Sequence, residues 1–121
     1  MREFNISILG EQWEVRIRKE EEEERLKDCS GFTDWTSRTI VVMDGRNVGN
    51  LTHPDVYMKK ILRHEIVHAF MFESGLGDNW EHGSIGQEET VVDWIAIQLP
   101  KIAEICEAAE RKLKVILDDG D

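Results

Sequence analysis

The chain has 121 residues, with 25 Asp+Glu against 15 Lys+Arg and a formal net charge of −10. That length suits one domain, and a composition 40% hydrophobic and 33% charged suits one modest core. The acidic balance argues against a phosphate-neutralising face for nucleic acid and against docking on an anionic membrane. No apolar run reaches the roughly 18 residues of a membrane span. Met1-Arg2-Glu3-Phe4 lacks the basic-then-apolar layout of an export signal. Cys29 and Cys106 lie far apart, and neither has a partner cysteine at metal-ligand spacing. The expectation is a reduced, cytoplasmic protein.

A single domain, 1–121, is expected, strand-rich over 1–50 and helical over 51–121. Phe4, Ile6 and Ile8 alternate with polar residues, as do Trp13, Val15 and Ile17, which predicts a β-hairpin turning at Gly10-Glu11. The five acids Glu20 to Glu24 read as a solvated turn or helix start, because like charges this dense repel when buried. A second strand pair is expected from Ser30 to Met43. It turns at Thr36-Ser37 and ends in the β-branched run Arg38–Met43. Asp44 to Asn50 is a loop.

A long helix is expected from Pro54 to Phe72. Thr52 or His53 would be its N-cap, with Pro54 at the first position and Asp55 at the positive helix end. Its apolar residues cover more than one face, so it should be largely buried. A polar loop follows from Gly75 to Gly86. A second helix is expected over Gln87–Leu99, ended or kinked by Pro100. A third, amphipathic helix would span Lys101–Leu117, with a frayed tail at 118–121. Strands followed by helices make the chain α+β.

The chemistry concentrates in His64-Glu65-Ile66-Val67-His68, an H-E-x-x-H run inside the first predicted helix. Residues four apart sit one turn apart on one face, so both imidazoles can reach one Zn²⁺ at about 2.0–2.1 Å. Glu65 is turned about 100° from His64. It is placed to act as general base on a water held by the metal. A third protein ligand is needed, and the candidates are Glu81, His82, Glu88, Glu89 and Asp93. Glu89 and Asp93 share a face one turn apart. The favoured arrangement has Glu89 on the metal and Asp93 accepting the N–H of a ligand histidine. Glu88 is the nearest competitor. His82 could be a ligand, an oxyanion donor or a solvent-facing residue. Tyr57 is the other candidate oxyanion donor. Trp35 and Trp80 could line a cleft.

His64–His68 followed by Glu89-x-x-x-Asp93 resembles the gluzincin pattern of zinc metallopeptidases. The stretch Glu88 to Pro100 is similar to small phage and mobile-element proteins grouped with the ImmA/IrrE metallopeptidases. The resemblance covers about Tyr57 to Ile102. It implies a minimal zincin-like fold, a small twisted and mainly antiparallel sheet packed on the H-E-x-x-H helix, with two further helices behind it. It implies His64, His68 and Glu89 as ligands, Glu65 as catalytic base and Asp93 as the carboxylate behind a ligand. It also implies a substrate-pairing edge strand at Arg38–Met43, through Ile40, Val41 and Val42. The expected function is zinc-dependent hydrolysis of a peptide or protein substrate, with no nucleic-acid or membrane partner. The alternative is a non-catalytic zinc-binding interaction module. An acidic DNA mimic leaves the histidines unexplained. The sequence leaves the oligomeric state open.

Overall fold

The computed structural model describes residues 2–46, 48–76 and 89–119; the side chains at 89, 90, 92, 93 and 96 lie outside that description. The two alternating apolar runs form a hairpin, β1 (Glu3–Ile8) and β2 (Glu11–Arg18). Its turn is Leu9-Gly10, both with positive φ (50° and 86°), one residue earlier than Gly10-Glu11. A two-residue turn of this hand matches the twist of the strands, and Leu9 accepts a left-handed backbone to complete it. The acidic run forms two short 3-10 turns, Glu20–Glu22 and Glu24–Lys27. A second hairpin, β3 (Gly31–Asp34) and β4 (Thr39–Met43), follows.

The two hairpins join through β2 and β4, which run parallel, and the strand order is β1-β2-β4-β3. The sheet is therefore mainly antiparallel, and β3 is an edge. β4 is bonded on both sides and is interior. Arg38–Met43 is thus not the edge strand, and Ile40, Val41 and Val42 have no main-chain groups to offer a peptide. Ile40 and Val42 are fully buried core residues instead.

Helix α1 (Pro54–Glu73) starts at the N-cap His53 with Pro54 at its first position. The proline loses nothing there, because the first helical N–H groups have no partner within the helix. The apolar face of the sheet (Ile8, Trp13, Val15, Ile17) packs on Met58, Leu62, Ile66 and Ala69 of α1. Met58, Leu62, Ile66 and Phe70 are fully buried, each contributing about 1.5–3 kcal/mol.

The two expected C-terminal helices are one. Helix α2 (Glu89–Asp118) runs for 30 residues straight through Pro100. An interior proline costs about 3 kcal/mol. Burial on both sides of it outweighs that cost: Val91 on one side, Ile102, Cys106, Ala109, Leu113 and Ile116 on the other. These positions keep one helical phase across the proline. Pro100 itself faces solvent.

Candidate metal centre

Three flanks of α1 meet different surroundings. One carries Arg63 and Phe70 and lies under α2: Arg63 pairs with Glu110 at 3.0 Å, and Phe70 meets Trp94 edge-to-face at 5.8 Å. The opposite flank carries Ile61, Glu65 and Phe72 and lies under β3 and its turn. An ideal Cβ on Gly31 would fall 2.6 Å from Ile61 Cγ2 and 3.5 Å from Glu65 Cγ. Trp35 stacks on Phe72 at 5.2 Å. His64 and His68 project between these flanks, away from the core, and both are exposed.

The two imidazoles converge. Their Nε2 atoms lie 3.2 Å apart, with ring centroids at 4.9 Å. Two nitrogens bound to one tetrahedral Zn²⁺ at about 2.05 Å are separated by roughly 3.3 Å. The separation of the two nitrogens is close to that spacing. Without a cation, the same distance suits one Nε2–H donating to the other nitrogen, a contact the metal would replace.

Glu65 takes a different position. It is buried, with 6% exposure, although its neighbours in sequence include an exposed histidine. Thr33 Oγ1 lies 2.9 Å from its Oε1 and 3.1 Å from its main-chain oxygen, so the hydroxyl can donate to either. With Thr33 on Oε1, Oε2 is the oxygen left for other chemistry. The carboxylate thus sits under the edge strand, one residue round the helix from the histidines.

Main-chain directions in β3 follow from its pairing. Met43 N–H donates to the Ser30 carbonyl at 2.9 Å. Alternate residues of an antiparallel strand face the partner, so Phe32 and Asp34 turn toward β4. Gly31 and Thr33 turn their N–H and C=O groups to the open edge. Gly31 is required because a side chain would strike Ile61 and the Val41 carbonyl, at 2.9 Å.

The remaining sequence candidates fall as follows. Tyr57 lies two turns before His64, about 10 Å along the axis, and helical side chains lean toward the N-terminus. Its hydroxyl hydrogen-bonds Ser30. It is therefore tied to the start of β3, away from the two histidines in sequence and along the helix. Glu89 opens α2, but its side chain and that of Asp93 lie outside the described residues, as do Trp80, Glu81, His82 and Glu88. Among the described residues no group of three or more His, Cys, Asp or Glu gathers around a point. Sequence reasoning missed Thr33 and Gly31, since a Thr and a Gly in a short strand carry no local sign of the helix they touch.

No helix among the described residues is long and apolar enough to cross a membrane. Searches of protein-family models, of curated proteins and of solved structures found nothing that matches this chain.

Proposed function

We propose that the protein is a zinc-dependent peptidase of zincin type. The observation that supports this most is the 3.2 Å approach of His64 Nε2 and His68 Nε2, with the carboxylate of the next residue in sequence, Glu65, buried under an open strand edge. His64 and His68 hold the metal, and Glu89 of α2 is the favoured third ligand, with Asp93 accepting an imidazole N–H. Bound Zn²⁺ supplies a Lewis acid for the carbonyl and lowers the pKa of its water toward about 7.

Glu65 acts as the base. Thr33 fixes Oε1, so Oε2 takes the proton from the attacking water and returns it to the leaving amine nitrogen. Burial keeps bulk water from competing for that proton. Gly31 and Thr33 hold the peptide through main-chain bonds along the edge of β3, in place of the interior strand β4.

The test is Glu65→Gln, which keeps shape and removes the base. Zinc content should stay at the wild-type value. Hydrolysis of a casein-derived peptide mixture should fall by at least about 100-fold, the usual scale of a lost acid–base group. Unchanged hydrolysis would refute Glu65 as base. Zinc binding with no hydrolysis by wild type would leave a zinc-binding module without this activity.

A further inference from the structure

Trp35 is a large apolar side chain left 54% exposed in the turn that follows β3. One face of its indole is spent on Phe72, with ring centroids 5.2 Å apart and planes inclined by only 21°. Phe72 is four residues beyond His68, so it occupies the same side of α1, one turn and about 6 Å farther along. Trp35 directly follows Asp34, the last residue of β3, and its side chain, like that of Thr33, meets α1. The stacked pair therefore lies where the open strand edge and the histidine-bearing side of the helix both run out.

We propose that Trp35 and Phe72 form an aromatic shelf that selects peptides carrying a large apolar or aromatic side chain. This inference rests on the peptidase reading above and adds a substrate class to it. A peptide on the open edge pairs best antiparallel to β3. Glu65 lies beneath Gly31 and Thr33, so the cleaved bond lies opposite that stretch. Trp35 is two residues beyond Thr33, in the turn that follows β3 and so at most about 7 Å from it. In an antiparallel peptide the residue opposite Trp35 stands two or three positions N-terminal to the cleaved bond. Its side chain points to the helix side, onto the shelf.

The chemistry favours an apolar guest over a charged one. The indole presents a flat face, and an aromatic or aliphatic side chain gains both burial and ring contact there. Arg38, three residues beyond Trp35 in the same turn, is engaged by Glu73 at 2.6 Å, with Glu11 at 3.8 Å.

Two measurements test the shelf separately from catalysis. First, a proteome-derived peptide library is digested by the zinc-loaded protein, and side chains flanking the cut bonds are read by mass spectrometry. Phe, Leu, Trp and Tyr should be enriched two or three positions N-terminal to the cut. Second, zinc-loaded Glu65→Gln protein is titrated with two fluorescein-labelled Ala/Ser octapeptides that differ by one central Phe or Ala. The Phe peptide should bind about tenfold tighter. Trp35→Ala should bring that ratio near one, and Trp35→Phe should keep most of it. The same far-UV spectrum in all variants shows that the fold is retained.

Cleavage without side-chain preference, a preference for Lys or Arg, or a ratio unchanged in Trp35→Ala would overturn the shelf and leave the peptidase reading standing. Discrimination in binding with no cleavage by wild type would do the reverse. No binding and no cleavage would overturn both.

Discussion

Replacing Gly31 by alanine tests whether β3 rests directly on the flank of α1 that carries Glu65. The added methyl would lie 2.6 Å from Ile61 Cγ2 and 2.9 Å from the Val41 carbonyl oxygen. Unstrained carbon contacts lie near 3.5–4.0 Å, so the overlap with Ile61 is about 1 Å. Neither neighbour yields easily. Ile61 is β-branched and restricted in the helix, and the Val41 oxygen belongs to an interior strand. β3 must therefore move off α1, and the Thr33–Glu65 bond loosens with it. Overpacking of this kind costs about 1–3 kcal/mol. At about 4 °C per kcal/mol for a chain of this size, the melting temperature should fall by about 4–12 °C. Circular dichroism melts of wild type, Gly31→Ala, Ile61→Ala and the double variant give the answer. The double variant should melt higher than the sum of the single effects, because the smaller side chain relieves the clash. A Gly31→Ala melt within about 1 °C of wild type, or strict additivity, would refute the contact.

Acid should destabilise the fold through its depressed carboxylates. Burial pushes the Asp44 carboxyl up, but hydrogen bonds from Arg46 outweigh it and hold the group below its ordinary value. Arg2 holds the exposed Glu22 carboxyl down to about 2, and Arg18 lowers that of Glu3. A depressed carboxylate stabilises the folded state above its unfolded value of about 4, and that contribution is lost as pH falls through the folded value. Melting temperature should thus hold from neutral pH to about 5 and decline below about 4. Asp44→Asn should flatten part of the decline, and an identical acid profile in that variant would contradict it. Thiol titration should find one fast-reacting cysteine in the folded protein, the exposed Cys29, and two after denaturation. Burial and the neighbouring Glu110 push the Cys106 thiol up, and only the thiolate reacts. Two fast thiols in the native state would show that the face of α2 carrying Cys106 is not packed against the core.

Local patterns carried most of the fold. Alternation located β1 and β2, and the cap-and-proline start fixed α1 at Pro54. The H-E-x-x-H spacing alone brought the two imidazoles together, because one helical turn dictates that geometry. Non-local pairing was not legible. Nothing near β4 announces that β2 lies beside it in parallel, so the edge fell to β3 instead of the more apolar strand. Pro100 misled for a related reason. Its cost is local, while the burial that offsets it is spread over both halves of α2. Tyr57 shares the helix face of the histidines, and only the docking of Ser30 reveals its other partner. Spacing singles out Glu65 as the candidate base, but the hydroxyl that bonds its carboxylate comes from a residue 32 positions earlier.

The central claim is that His64 and His68 hold one zinc ion, and elemental analysis of purified protein tests it most directly. Wild type should contain close to one zinc per chain, and His64→Ala and His68→Ala should each contain almost none while keeping the wild-type far-UV spectrum. Wild-type protein free of zinc after exposure to excess metal, or zinc retained undiminished in both histidine variants, would contradict the account.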